Sequence, residues 1–351
     1  MSPPDNTSSI CRSTKITMSH GSGGKDMRDL IEDIFVTGFA NEELSILEDQ
    51  ARLNLADISA KGDRLAFTTD SYVVDPLFFP GGNIGSLAVN GTINDLAVGG
   101  AIPLYLSCGM IMEEGFPVED LREIVKSMKL AADEAGVKIV TGDTKVVERN
   151  SADKIFINTS GIGIIPAGIN IASMNARPGD LVLVNGFLGD HGAAIVGARQ
   201  DLALENDIKS DCRSLNKLIS EMLEVCPEIR CMRDATRGGI ASVLNEIAEA
   251  SKVCIRIKEK YLPIQEEVRA VCEILGLDPL YLANEGKLLT VVPSEYAEKI
   301  LETMKNNDAG RQAEIIGEIT AAPESAVILH TTFGGQRMID KLVGEQLPRI
   351  C

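Results

Sequence analysis

F-P-V-E-D-L-R-E-I-V-K-S-M-K-L-A-A-D-E-A-G, residues 116–136, runs straight into V-K-I-V-T-G-D-T, residues 137–144. In the first segment Leu121, Ile124, Val125, Met128, Ala131, Ala132 and Ala135 recur at three- and four-residue steps, so one side of a helix is apolar and the other charged. Gly136 supplies the stop. The second segment is rich in β-branched residues and reads as a strand ending in a turn. Working outward, R-L-A-F-T-T-D-S-Y-V-V-D (64–75) and K-I-F-I-N-T-S-G-I-G-I-I (154–165) are further strands. A Pro-, Gly- and Asn-rich seam spans 166–180, after which the programme recurs. L-V-L-V-N-G (181–186) and N-E-G-K-L-L-T-V-V (284–292) are strands; 234–250 and 261–276 are helices. The expected fold class is therefore α+β, with two domains, residues 16–166 and 167–332, each a mostly antiparallel or mixed sheet covered by helices. Residues 1–15 read as a disordered arm and 333–351 as a mobile tail, able to reach roughly 55 Å from Gly334 if fully extended.

Composition narrows the function. A chain of 351 residues with 44% hydrophobic and 24% charged residues is an ordinary soluble, two-domain size. The formal net charge of −17 argues against nucleic acid or an anionic membrane as partner. It leaves nucleotides open, because backbone N–H groups, metal ions and a few local cations can hold phosphates. The first 15 residues lack an apolar core, so they are not a signal peptide, and no apolar run is long enough to span a bilayer. With eight cysteines in no C-x-x-C spacing and only three histidines, a structural zinc site is not expected, and reduced cytoplasmic thiols are. Cys226, Cys254 and Cys272 sit among apolar residues and read as packing. Cys351 is the last residue of the sequence, on a segment expected to be loose.

Several glycine-flanked polar motifs are candidates for chemistry. H-G-S-G-G-K (20–25) is a glycine-rich loop entering a helical pattern; it lacks the glycine of a P-loop, and a plain structural turn is the competing reading. Asp70, Asp95 and Asp143 lie at expected strand or turn ends. Singly each reads as an Asx-turn or cap; together they are the carboxylates that hold Mg²⁺ against nucleotide phosphates. Lys145 is either a phosphate partner, a base, or a surface lysine. Arg237, beside Gly238 and Gly239, suits an anion or simply a closely packed helix start, and Glu285 beside Gly286 suits acid–base work or a turn.

These motifs, H-G-S-G-G, T-T-D-S-Y-V-V-D-P-L-F-F-P-G-G-N-I-G, N-D-L-A-V-G-G, V-T-G-D-T-K-V-V, G-D-H-G, R-D-A-T-R-G-G, N-E-G-K and the final P-R-I-C, together resemble the HypE family of hydrogenase maturation factors, from His20 to Cys351 and without departure. That family lies in the PurM-like (aminoimidazole ribonucleotide synthetase) superfamily. The resemblance implies two PurM-like domains, the first with a sheet that pairs into a dimeric β-barrel in a homodimer, the second an α/β sandwich. It implies ATP and Mg²⁺ near His20, Gly21, Gly23, Gly24, Asp70, Asn94, Asp95, Asp143, Thr144 and Arg237, with Asp70, Asp95 and Asp143 as metal ligands. It further implies that a carbamoyltransferase, HypF, loads a carbamoyl group on Cys351, and that ATP-dependent dehydration assisted by Glu285 and Lys145 makes a thiocyanate. The cyanide then passes to a HypC–HypD complex for a NiFe-hydrogenase centre. Other ATP-using members of the superfamily, of selenophosphate synthetase or thiamine-phosphate kinase type, and a non-enzymatic thiol carrier are the rival readings.

Overall fold

The computed structural model describes residues 11–199, 207–344, 347 and 349–351. The first domain is built on β1 (Arg64–Tyr72), β2 (Ile102–Glu113), β3 (Lys138–Val147) and β4 (Ile155–Ile165), in the spatial order β1-β4-β2-β3. β4 is antiparallel to both β1 and β2, whereas β2 and β3 are parallel. A parallel pair needs a crossover. Here it is the predicted amphipathic helix, observed as Val118–Ala135, whose buried residues include all seven of the stripe. Gly136 ends it in the left-handed conformation, φ +75°.

Between the domains lies a helix that periodicity does not reveal, α1 (Ile84–Val98). It is apolar on every side: thirteen of its fifteen residues are buried, so no amphipathic stripe exists to mark it. Asn83 starts it, its Oδ1 accepting from the N–H of Gly85 and Ser86 at 2.8 and 3.2 Å. We label the crossover helix α2. One side of α1 packs on β1, β4 and α2; the other meets the second domain.

The second domain carries a seven-stranded sheet of β5 (Leu181–Val184), β6 (Cys231–Asp234), β7 (Cys254–Lys258), β8 (Leu288–Val292), β9 (Glu314–Thr320), β10 (Ala326–His330) and β11 (Gln336–Met338). Its order is β11-β10-β7-β9-β5-β8-β6, antiparallel except for β7 with β10. Helices α3 (Asp190–Ala198), α4 (Asn216–Val225), α5 (Gly239–Ser251), α6 (Glu266–Leu275) and α7 (Ser294–Asn306) accompany it.

Boundaries differ from the sequence expectation where backbone chemistry intervenes. The helix expected from 234 starts at Gly239, because Gly238 and Gly239 take left-handed conformations (φ +74° and +58°) and Asp234 closes β6. The helix expected from 261 starts at Glu266, beyond Pro263. Of the expected arm, residues 1–10 lie outside the described residues, while 11–15 are tied down: the Cys11 N–H donates to Asp33 (3.0 Å), Val118 N–H donates to the Thr14 carbonyl, and Lys15 bridges to Pro117. Of the expected tail, 336–338 pair into the sheet as β11, and Ile350 is buried. No helix among the described residues is long and apolar enough to cross a membrane.

Candidate active site

Four acids converge where the domains meet: Asp70 on β1, Asp95 in the last turns of α1, Asp234 closing β6, and Glu285 in the loop before β8. Asp95 therefore sits on a buried helix and Asp70 within a strand, not in the turns expected from the sequence. Glu285 is 3% exposed, and its Oε1 has no hydrogen-bond partner among the described residues. The N-E-G-K loop is held in place by Asp211. Its carboxylate accepts from the N–H of Glu285 (3.0 Å) and Gly286 (3.1 Å) and from Lys287 Nζ (2.9 Å). Asn284 locks the loop from the other end, accepting from Gly189 N–H and donating to the Ala235 carbonyl, both at 2.8 Å. Asn94, expected beside the nucleotide, is committed to the fold: it donates to the carbonyls of Arg213 and Glu285 and accepts from Leu215 N–H.

The electrostatics of this cluster are those of acids short of positive charge. Burial pushes Glu285 well above the ordinary carboxylate range, and repulsion from Asp211, Asp234 and Asp70 adds to it. Burial, with Asp95 next, raises Asp234 to about 7. Asp95 is raised by burial and by Asp70, against a 3.0 Å hydrogen bond donated by Thr68 Oγ1. Two cations stand nearby: Arg237, 3.8 Å from Asp70, and Arg233, which opposes the shifts of Asp95 and Asp234. Cys351 enters this group: burial raises its thiol, Glu285 raises it further, and Arg237 opposes. Arg349 pairs with Asp153 and, at 3.9 Å, with Asp75.

Asp143, Thr144 and Lys145 stand elsewhere. Across the sheet Asp70 registers with Thr159, Thr159 with Cys108, and Cys108 with Gly142. Asp143 is thus three strands from Asp70, about 14 Å away at ordinary strand spacing. Lys145 pairs with it at 2.9 Å, both side chains largely exposed. Asp70, Asp95 and Asp143 are therefore not one cluster within a chain, and among the described residues no three His, Cys, Asp or Glu side chains converge closely enough to hold a metal ion unaided. Asp234 joins Asp70 and Asp95 instead. Sequence reading missed it, although R-D-A-T-R-G-G shows the same signature of an acid ahead of a glycine turn.

Beside Asp143 a pocket opens between β3 and the helical segment after the glycine-rich loop, lined by Met27, Ile31, Phe35, Cys108 and Met110. Thr144 lines it, 7% exposed, with its Oγ1 unpartnered. The glycine-rich loop packs along the same strand. A side chain at Gly21 would press on Val146, its Cβ only 3.0 Å from that of Val146, and Gly23 is left-handed at φ +78°. Buried His20 holds the loop, its Nδ1 accepting from Thr17 N–H at 3.0 Å; Gly24 leads into the helix Lys25–Leu30.

This two-domain architecture is that of the AIR synthase related proteins: their N-terminal domain family matches residues 47–165 and their C-terminal domain family residues 177–330. The carbamoyl dehydratase HypE of Azotobacter vinelandii is 52% identical over 340 residues, covering 97% of this chain and 98% of that one. Crystallographic HypE in complex with ATP superposes with a TM-score of 0.90 at 48% identity, over 95% of this chain and 99% of that chain. HypE in a HypE–HypF complex gives 0.77 at 49% identity, over 91% and 100%. The chain belongs to the HypE family of carbamoyl dehydratases.

Proposed function

We propose that this protein uses ATP to dehydrate a carbamoyl group carried on Cys351, converting the S-carboxamide to a thiocyanate that supplies cyanide for maturation of a NiFe hydrogenase in the cytoplasm. The observation that carries the reading is Cys351 lying within the acid cluster beside Glu285, a buried carboxylate with an unpartnered oxygen. The reaction balances as thiocarbamate plus ATP giving thiocyanate, ADP, hydrogen phosphate and a proton, the carbamoyl oxygen leaving with the phosphate and the nitrogen losing both of its protons. ATP supplies the phosphoryl group that makes that oxygen a leaving group, and Mg²⁺ neutralises the charge that develops.

The residues of this chain fit those groups. Asp70, Asp95 and Asp234 are hard oxygen donors whose mutual repulsion a divalent cation relieves. The apolar pocket above Thr144 suits a nucleobase, with the free hydroxyl as its polar contact. Glu285, held basic by burial, is placed to take a proton from the carbamoyl nitrogen. Arg237, flanked by Asp70 and Cys351, faces the developing phosphate charge.

Lys145, Asp143 and the glycine-rich loop are remote from Glu285 within one chain, and a second copy would complete the site. The open face of the first sheet exposes Leu65 and Phe67, 61% and 68%, an apolar surface apt for the shared barrel of a homodimer. HypF is the loading partner by likeness to the HypE–HypF complex, and a HypC–HypD complex is the proposed acceptor.

The test is mass spectrometry of the carbamoylated chain after incubation with Mg²⁺ and ATP. The C-terminal peptide should lose one water, and Glu285→Gln should abolish that loss. A chain that binds ATP yet never loses water from this peptide would refute the reading. Residues added after Cys351 should block dehydration while ATP affinity stays unchanged. A thiol carrier without enzymatic activity predicts no ATP binding at all.

A further inference from the structure

The histidine of the G-D-H-G motif is not one of the clustered acids' partners described above, yet it is fully buried and touches the end of the chain. His191 is 0% exposed in α3, 159 residues from its partner. Its Nε2 lies 2.8 Å from the carbonyl oxygen of Ile350, and its Nδ1 lies 2.8 Å from Ser210 Oγ. The donors in this chain can be assigned. The Ile350 carbonyl can only accept, so Nε2–H donates to it. Burial lowers the pKa of the imidazole and keeps it neutral, which leaves Nδ1 as the acceptor. Ser210 Oγ–H then donates to Nδ1 while its oxygen accepts from Cys212 N–H at 3.1 Å.

Around this bond the last three residues are gripped by groups from both domains. Arg349 pairs with Asp153 and Asp75. Its carbonyl accepts from Asp75 N–H (3.2 Å) and from Arg199 (3.2 Å), and its backbone is left-handed at φ +55°, which turns the chain inward. Ile350 is 6% exposed, in the same apolar cluster as Phe79, Ile195 and Ala283. The ring of Phe79 meets the imidazole edge-on at 5.5 Å, fixing its plane.

We propose that this is a docking site for a short peptide ending Arg–Ile–Cys, in which His191 is the positioning residue: oriented by Ser210, it grips the main chain one residue before the cysteine and so sets where the Cys351 sulfur stops. The acid pair Asp75 and Asp153 reads the arginine, the apolar cluster reads the isoleucine, and His191 reads only the backbone. Because the His191 bond is made to the main chain, it is available whether or not the sulfur carries a group. The inference rests on Cys351 being the carrier, but its test needs neither cargo nor ATP.

Two substitutions separate the atoms of the ring. Glutamine can place its amide nitrogen where Nε2 stands and keep the bond to Ile350, whereas asparagine reaches only the Nδ1 position and loses it. In the full-length protein, alkylation of Cys351 is followed by peptide mass spectrometry. The wild-type thiol should react at least about tenfold more slowly than the free peptide L-P-R-I-C. His191→Asn should raise the rate about tenfold, the value of one lost hydrogen bond, and His191→Gln should restore most of the protection. A His191→Asn protein with unchanged circular dichroism whose Cys351 stays protected would overturn the proposal, as would Gln behaving like Asn. Should the asparagine variant fail to fold, imidazole ¹H–¹⁵N spectra of the wild type decide: the sequence has three histidines, and a slowly exchanging proton on His191 Nε2 is required.

Discussion

Removing the Asp211 carboxylate should damage the protein out of proportion to the side chain's size. It is 5% exposed and accepts from two backbone N–H groups and the ammonium of Lys287, itself 7% exposed. Burial alone would raise its pKa, but Lys287 outweighs that and leaves it below the ordinary value, so it is ionised wherever the protein is folded at neutral pH. Asp211→Ala leaves a buried ammonium and two buried donors without acceptors. Breaking such a pair costs about 3 to 5 kcal/mol, and each stranded donor adds on the order of 1 kcal/mol or more. A loss of about 5 kcal/mol lowers the melting temperature of a domain of this size by roughly 10 to 20 °C. The double variant Asp211→Ala with Lys287→Met removes the stranded charge as well and should recover at least about half of that loss. Urea unfolding of the four proteins in the cycle, read by circular dichroism, measures the coupling directly. A single-variant loss below about 1 kcal/mol with an unchanged denaturant slope, or a double variant no more stable than the single, would refute the claim that Asp211 holds the N-E-G-K loop electrostatically.

Three further outcomes are expected. The folded-state pKa of Asp234 is raised from 3.8 to about 7. The folded protein therefore holds a proton that the unfolded chain has shed, and stability falls as pH rises through that window. Asp234→Asn should leave the melting temperature unchanged near pH 3.5 and raise it at pH 8, with a stability gain bounded at about 4 kcal/mol; a gain equal at both pH values would contradict the cause assigned. Thr144→Val fills the place of an unpartnered hydroxyl with a methyl. It should be neutral or slightly stabilising by thermal melt while weakening ATP about five- to tenfold by calorimetry, and unchanged affinity would remove the base from that pocket. Phe67→Lys, on the exposed sheet face, should turn a dimer into a monomer by light scattering; a dimer that persists would place the interface elsewhere.

Much of the cleft was written locally. Asp70, Asp95, Arg237 and Glu285 could be picked out because each is a charged side chain among glycines or small residues, a composition that only a turn or a close approach favours. Others carried no local mark. Asp211 looks like any loop acid until its three donors are seen, and His191 looks like a lone core histidine until residue 350 arrives beside it. The sequence suggests a turn at Asp95 because α1 is buried on all sides and so shows no period. Asp143 resembles Asp70 in its local sequence, yet linear order says nothing about which strands are neighbours: β3 follows β2 along the chain and lies at the far edge from β1.

The chain itself determined its elements, its two-domain plan and its inventory of reactive groups, because hydrophobic period, capping glycines and turn chemistry act over a few residues. Tertiary structure alone decided which of those groups share a cleft. Burial and mutual repulsion, which shift Glu285 and Asp234, and the tail bond to His191 arise only when segments far apart in the sequence are packed together out of water.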